Sequence, residues 1–163
     1  MPRDTPSPAF RRHDHAACRA GAMAAAQRIC AERKLRLTPV RARALEILLE
    51  SHRAMGAYDL LQRLNAEGLG SQPPVAYRAL DFLVEHGFAH RIEKLNAFIA
   101  CSHPGEGHAA AFLICRACGA VAETAAPPDD AIAEMADAVG FAVERAVVEI
   151  EGRCPRCRQA AGA

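Results

Sequence analysis

Apolar side chains recur at helical spacing through the first half of the chain. Leu45, Leu48 and Leu49 form the i, i+3, i+4 stripe of an amphipathic helix, which begins after Thr38 with a proline at its first position. A second stripe follows Pro73, and an Ala-rich stretch precedes both. The pattern predicts four helices, at residues 17–33, from residue 38, at residues 57–67 and at residues 73–87.

Short apolar segments follow the fourth predicted helix. Residues 88–93 and 97–101 are typical of two strands joined by a turn at Leu95 and Asn96. Short helices followed by a β-hairpin predict a winged helix-turn-helix, in which the last helix enters the major groove of DNA and the hairpin forms the wing.

The second half of the chain combines strands with one helix. Residues 110–115, 120–124 and 141–152 have the pattern of strands, and residues 127–139 begin with the Pro and Asp residues that favour a helix start. The sequence therefore predicts an α+β protein. Its expected parts are a mobile tail (residues 1–16), a winged-helix DNA-binding domain (17–101), a hinge loop (102–109) and a small α/β domain (110–163).

The cysteines add candidate chemistry to the second domain. Four of the seven form two Cys-x-x-Cys pairs, Cys115 with Cys118 and Cys154 with Cys157. The N-terminus lacks the apolar segment of a secretory signal, which predicts a cytoplasmic, reducing location and metal binding rather than disulfides. Four thiolates suit a structural Zn²⁺ in tetrahedral geometry. A redox Cys-x-x-Cys is the alternative, although a redox motif does not need a second pair.

Composition excludes some classes of protein, and charge suggests a partner. Hydrophobic residues make up 51% of the 163 positions and charged residues 24%, which excludes a fully disordered chain and a coiled coil. No apolar run approaches the roughly 20 residues of a membrane helix. Residues 1–94 carry 15 basic and 10 acidic side chains, whereas residues 95–163 carry 5 and 9. The basic first part makes nucleic acid a candidate partner.

Four segments resemble the ferric uptake regulator (Fur) family, namely LRLTPVRARALEIL, AYDLL, PPVAYRALDFLVEHGFAHRIE and FLICRACGAVAE. The likeness covers about residues 20–157 and, within the family, is greatest to the zinc uptake regulators. It implies a homodimeric, metal-activated repressor of an inverted-repeat operator in double-stranded DNA, with a C-terminal dimerisation domain. It implies no membrane and no small-molecule substrate other than the metal ion.

The resemblance also implies a regulatory zinc site, so that each subunit would hold two Zn²⁺ ions. Its ligands would be His90 in the first wing strand, Cys101 at the end of the second, His108 in the hinge loop and Glu123 in the second domain. One ion held by all four would join the two domains. In a dimer it would then set the spacing of the two recognition helices.

The identity of the regulatory metal depends on Cys101. A thiolate ligand favours Zn²⁺ over Fe²⁺, and the His-His-Asp-His cluster typical of iron-responsive relatives is absent before the first Cys-x-x-Cys. Two other residues of the loop, His103 and Glu106, are rival or additional ligands.

Three residues are candidate DNA contacts. Arg78, on the solvent face of the predicted recognition helix, would bind guanine O6 and N7, unless it pairs with Asp81 or Glu85. Tyr77 would contact a thymine methyl group or a phosphate, unless it packs between helices. Tyr58 would bond to a phosphate. The chain has VAYR where family members often have TVYR, which removes a hydroxyl that could contact phosphate or cap the helix.

Other residues have less specific roles. The run RKLR, with Arg41 and Arg43 after it, would steer phosphates or form a solvated surface. The remaining histidines and free cysteines receive no firm ligand role: His13 and His15 belong to a solvated tail with at most weak chelation, His52 and His86 to the surface or helix ends, and Cys18 and Cys30 to buried helix faces.

Together these features predict a zinc-responsive transcriptional repressor of zinc-uptake genes and not an enzyme. The sequence has no H-E-x-x-H, Walker A or Rossmann glycine motif, and four ligands to the second ion leave no open position for catalysis. Two other hypotheses remain. One is a regulator of the same family that responds to iron, manganese, nickel or peroxide, and the other is a zinc-ribbon interaction module without zinc-dependent DNA binding.

Overall fold

A computed structural model describes residues 7–105, 110–127 and 129–161. The chain divides into two compact units. The first unit is residues 11–107, and the second unit is residues 1–10 together with residues 108–163. In the described ranges, no helix has both the length and the hydropathy needed to cross a membrane.

Four helices build most of the first unit. They are α1 (His15–Glu32), α2 (Pro39–Leu48), α3 (Ala57–Ala66) and α4 (Pro73–Glu85). α2 begins as predicted, because the Thr38 hydroxyl accepts a hydrogen bond from the N–H of Arg41 and Pro39 occupies the first position. α1 begins at His15, two residues before the predicted start, because the Asp14 carboxylate caps it by accepting from the N–H of Ala17 at 3.0 Å.

The recognition helix of the predicted winged helix leads directly into the hairpin. α4 is terminated by Gly87, two residues after its last residue and in the left-handed region with φ +75°, and the N–H of Phe88 donates to the carbonyl of Leu83 at 2.7 Å. The chain then enters β1 (Ala89–Ile92), which pairs antiparallel with β2 (Ala97–Ala100). Met55 and Phe98 exchange two backbone hydrogen bonds of 2.8 Å, which fastens the hairpin to the segment before α3.

One apolar core holds this unit together. The helices contribute most of its buried side chains, and Phe88, just before the hairpin, adds a fully buried ring; the fully buried leucines are Leu48, Leu60, Leu64, Leu80 and Leu83. They follow the helical periodicity that the sequence shows. The helices and the wing confirm the predicted winged helix.

The second unit is a three-stranded sheet with helices. Its elements are a short 3₁₀ helix (Pro8–Phe10), β3 (Ala110–Cys115), β4 (Val121–Ala125), α5 (Asp129–Asp137), β5 (Val148–Gly152) and α6 (Pro155–Ala161). The strand order is β4-β3-β5, with β3 antiparallel to β4 and parallel to β5. This unit, with the winged helix, confirms the α+β class.

In the second unit one local prediction is wrong and one helix was not predicted. The strand expected at residues 141–152 is limited to β5, and residues 141–147 are irregular. Their alternating apolar side chains are not covered by a sheet face, since Phe141 is 64% exposed and Val143 42%. The sequence pattern also omits α6, because the apolar content of this helix is too low to give a helical stripe. It begins at Pro155, a residue suited to a first helical position.

Candidate metal centres and nucleic-acid interface

Two parallel strand ends bring the paired cysteine motifs together. β3 and β5 run in the same direction with Cys115 opposite Gly152. The two Cys-x-x-Cys motifs, which begin at or just after the carboxyl ends of these strands, therefore lie at the same end of the sheet. The four sulfurs of Cys115, Cys118, Cys154 and Cys157 lie within 4.8 Å of one another. Cys118 Sγ is 3.9 Å from Cys154 Sγ. Zn–S bonds of about 2.3 Å in a tetrahedron separate sulfurs by about 3.8 Å, so the cluster fits Zn²⁺.

Backbone geometry aims each pair of sulfurs. After Cys115 the chain turns tightly, with the N–H of Gly119 donating to the Cys115 carbonyl at 2.8 Å and Gly119 at φ +73°. The second pair is held differently, because α6 begins between its two cysteines. The N–H of Arg158 donates to the Cys154 carbonyl at 2.9 Å, which closes the first turn of α6 around Cys157.

Hydrogen bonds prepare these sulfurs for a cation. The N–H of Cys154 donates to Cys115 Sγ at 3.3 Å and is the main reason that the pKa of Cys115 is lowered to about 6. The N–H of Ala120 likewise lowers the pKa of Cys118. Hydrogen bonding to Cys154, with burial, raises the pKa of Cys157 to about 12. Protein groups alone therefore favour some thiolates but not all, and a divalent cation would supply the missing positive charge.

A second pair of candidate metal ligands meets at the base of the wing. His90 lies on β1 opposite Ile99, with its Nε2 buried, and Cys101 follows β2. The N–H of Cys101 donates to the carbonyl of Phe88 at 2.9 Å, and the residue is only 3% exposed. The hairpin brings a His90 ring nitrogen and the Cys101 sulfur within 4.8 Å of each other. An imidazole and a thiolate at this separation are a suitable half-set of ligands for Zn²⁺.

The other residues proposed for the regulatory site are described less completely. Glu123 is half-buried on β4 of the second unit, opposite Phe112. His103 is exposed in the loop after Cys101. His108 and Glu106 lie outside the described residues.

The surface of α3 and α4 presents the three candidate DNA contacts. Tyr58, near the start of α3, is 69% exposed, and Tyr77 on α4 is 53% exposed, so Tyr77 does not fill a space between helices. Arg78 Nε donates to the carbonyl of Pro74 at 3.2 Å. Within the described residues, no ion pair joins Arg78 to an acidic side chain.

Two further arginines are engaged within the fold. The Arg41 guanidinium stacks 3.9 Å from the centre of the Phe82 ring. Arg43 forms hydrogen bonds of 2.6 and 2.8 Å to Glu67 and of 2.9 Å to Glu46, which raise its pKa further. These contacts account for both arginines without DNA, so neither is included in the interface proposed below.

Comparison with known proteins adds a second line of support. The sequence profile of the ferric uptake regulator family matches residues 32–151. The chain belongs to this family. Because the Fur family is one of regulators, membership confirms the expectation of a regulator rather than an enzyme.

Individual relatives show which members of the Fur family this chain resembles. The zinc uptake regulation protein of Escherichia coli (strain K12) is 40% identical over 137 residues, which are 83% of this chain and 80% of that protein. A solved zinc uptake regulator in complex with zinc and DNA is 37% identical with a TM-score of 0.81, covering 89% of this chain and 98% of that one. The holo form of XcZur is 36% identical with a TM-score of 0.72, covering 90% and 99%. This Fur-family chain is thus a homologue of zinc uptake regulators, as its motifs indicate.

This Fur-family chain also has a group of side chains to which the sequence assigns no firm role. His13, His15, Cys18 and His52 meet in the first unit. Cys18 is exposed, which corrects its interpretation as a buried helix residue, whereas Cys30 is buried as expected. His-x-His followed by a Cys three positions later is a visible sign of ligand spacing, but nothing in the sequence shows that His52 joins them.

Proposed function

We propose that this chain is a cytoplasmic, zinc-responsive transcriptional repressor of zinc-uptake genes. The observation that carries the proposal is the His90–Cys101 pair at the base of the wing, separate in sequence from a complete four-thiolate cluster in the second unit. A chain with only a structural role for zinc needs one closed site. A further pair of zinc ligands in the DNA-binding unit gives zinc a way to affect DNA binding.

The two groups of ligands suit different roles. Four thiolates form a closed structural site, which stays filled and stabilises the second unit. His90 and Cys101 would hold a second ion from the wing, while Glu123 and His108 would complete the set from the second unit. Mixed nitrogen, oxygen and sulfur ligation suits a weaker, exchangeable site. The proposed stoichiometry for regulation is therefore two Zn²⁺ ions per chain.

The ligands of the second ion explain how zinc would alter DNA affinity. When bound, the ion supplies a link between side chains of the two units, and this link fixes the orientation of the recognition helices in a dimer. The energy required is modest, because a ~100-fold change in DNA affinity corresponds to about 2.7 kcal/mol of coupling. The thiolate of Cys101 favours Zn²⁺ over Fe²⁺ as the regulatory ion.

An exposed apolar segment supports the homodimer. Residues 135–150 of the second unit contain six of the large exposed hydrophobic side chains; they are Met135, Val139, Phe141, Val143, Val147 and Ile150. A soluble monomer rarely exposes so many apolar side chains in one segment. A second copy of this chain would cover them, and such a two-fold dimer would present two recognition helices to an inverted repeat.

The recognition surface would combine positioning and specificity. Arg78 on α4 is suited to bidentate contact with guanine in the major groove, since its hydrogen-bond partner among the described residues is the backbone carbonyl of Pro74. The exposed hydroxyl groups of Tyr58 and Tyr77 would bind phosphate or contact base edges. These contacts need two half-sites in each operator.

Selection from a library of random DNA duplexes tests this function and identifies the operator in the same experiment. Zinc-loaded protein is expected to enrich an inverted repeat, and the protein with only its Cys-x-x-Cys zinc is expected to enrich none. Enrichment that does not depend on the second zinc equivalent would contradict a zinc-responsive repressor. Failure to enrich any sequence would favour the interaction-module hypothesis instead.

A further inference from the structure

Three imidazoles and one thiol converge at the N-terminal end of α1. His13 precedes the Asp14 cap, and His15 and Cys18 lie three positions apart in the first turn of the helix, which places them on one face. His52 reaches the same place from the segment after α2. The ligand atoms of the four side chains lie within 4.8 Å of one another. This group, here called the α1 cluster, shares no residue with either group of zinc ligands above.

Backbone carbonyls fix the orientation of two of the rings. His15 Nε2 is 3.0 Å from the carbonyl oxygen of Glu50, and His13 Nδ1 is 3.3 Å from that of Arg11. A carbonyl only accepts, so each of these ring nitrogens must carry the hydrogen. In the neutral rings, the lone pairs are therefore on His15 Nδ1 and His13 Nε2.

These two lone pairs point at each other. His15 Nδ1 is 3.2 Å from His13 Nε2, and His52 Nε2 is also 3.2 Å from His13 Nε2. Two facing lone pairs repel unless a positive charge lies between them, either as a proton or as a metal ion. Zn–N bonds of about 2.0–2.1 Å in a tetrahedron separate nitrogens by about 3.3–3.4 Å, which is close to both distances.

The surroundings of the cluster match those of metal-bound histidines. A histidine that ligates a metal commonly donates its other ring N–H to a carbonyl or carboxylate, which orients the ring. His15 and His13 both do so. Glu50 is itself held, because its carboxylate accepts two hydrogen bonds from Arg63 on α3. The cluster thus has three imidazoles, a thiol as fourth ligand, and backbone carbonyls that hold two of the rings in place.

We propose that His13, His15, Cys18 and His52 form a further metal site that binds a divalent cation of borderline softness, with Zn²⁺ the best match. Three nitrogens and one sulfur are ligands that Zn²⁺ and Co²⁺ share. The site would fasten residues 13–18 to the segment that follows α2. Since α2 packs against α4, metal binding would stiffen the unit that carries the recognition helix.

Cobalt titration of the full-length protein tests this site directly. Protein carrying two Zn²⁺ per chain is titrated with Co²⁺, with His86→Gln as the matched control because His86 lies in the same unit outside every cluster. Wild type and H86Q are expected to bind one Co²⁺ with tetrahedral d–d bands and a thiolate charge-transfer band. C18S should lose the charge-transfer band and at least 10-fold in affinity, and the double variant His13→Gln/His15→Gln should bind no third ion.

Two results would overturn the site. One is no uptake beyond two metal ions in the wild type, which would leave a proton as the charge between the rings. The other is uptake that the cluster variants do not change. Because the readout is metal binding and not DNA affinity, these outcomes are distinct from failure of the proposed repressor function. Hydrogen exchange gives a second readout, with residues 13–18 expected to gain protection on metal binding in wild type and not in the double variant.

Discussion

The sulfur of Cys118 lies 3.9 Å from the sulfur of Cys154, although the two residues are 36 positions apart in the sequence. The parallel pairing of β3 with β5 makes this approach possible. In the described part of the second unit, Cys115, Ala120 and Cys154 form one of the buried apolar clusters, with Phe10 packed against it. A unit whose metal ligands belong to its core is expected to couple metal binding to folding.

Loss of the four-thiolate site should unfold the second unit selectively. Binding of a structural zinc contributes on the order of 10 kcal/mol, more than a small unit can lose. Cys154→Ser is therefore expected to remove the tightly bound Zn²⁺ and the hydrogen-exchange protection of β3 and β5, while α2 and α4 keep theirs. The matched variant Cys18→Ser should retain this zinc and this protection. Intact protection of β3 and β5 in C154S would show that zinc is dispensable for the fold.

Arg78 should contribute sequence discrimination. Arg78→Ala is expected to cost about 1–3 kcal/mol on the selected operator and to relax the preference at one base pair of each half-site. Tyr58→Phe removes a candidate phosphate contact and should weaken binding to all sequences alike. Competition binding with operator and with substituted duplexes distinguishes these effects. An unchanged base preference in R78A would show that this arginine does not recognise a base.

The apolar segment of the second unit should control the oligomeric state. Val139 is 79% exposed, so an aspartate at this position leaves the fold of one chain undisturbed but would bury a charge in a dimer. Val139→Asp is expected to sediment as a monomer at concentrations where the wild type is a dimer. Leu95→Asp, a similar change in the wing turn, should remain dimeric. A dimeric V139D would move the interface elsewhere.

The ion pair between Glu50 and Arg63 should make the stability of the fold decrease as pH falls. Hydrogen bonds from Arg63 lower the pKa of Glu50, so the pair stabilises the fold above the unfolded-state pKa, near 4.5, and loses this effect as pH falls through the lower folded-state value. Because both side chains are partly exposed, the contribution is at most about 1 kcal/mol.

Denaturant unfolding of wild type and Arg63→Gln measures this pair. The variant should be less stable at pH 7, and the difference should shrink toward zero as pH falls below 4.5 and through the lower folded-state pKa of Glu50. Acid release of zinc affects both proteins, so the difference between them isolates the ion pair. A difference that grows on acidification would assign the stabilisation to another group.

Local rules predict much of this molecule. The Thr38-Pro39 start of α2, the leucine stripes and the position of the wing follow from capping and periodicity, which depend on neighbouring residues. The Cys-x-x-Cys spacing likewise predicts two pairs of metal ligands, because spacing within a pair is a local property, and the pairing of β3 with β5 brings the two pairs together.

The features that the sequence does not predict depend on contacts between residues that are distant in the chain. The strand pattern at residues 141–147 resembles that of β5, but those apolar side chains remain exposed in one chain. The sequence does not predict the α1 cluster, because His52 is 39 positions from His13. The two side chains meet through the packing of α1 near the end of α2. No periodic pattern in the sequence predicts a contact between residues so far apart.

Operator binding across buffered free metal concentrations tests the central claim most directly. Fluorescence anisotropy of the selected duplex is measured at fixed salt with wild type and Cys101→Ser, each carrying its four-thiolate zinc, against free Zn²⁺ and in parallel against Fe²⁺. The wild type should gain about 100-fold in DNA affinity with Zn²⁺, a coupling of about 2.7 kcal/mol, and little with Fe²⁺. C101S should gain nothing while keeping its structural zinc. Binding that ignores zinc, follows Fe²⁺ or persists unchanged in C101S would contradict a zinc-responsive repressor regulated through the wing.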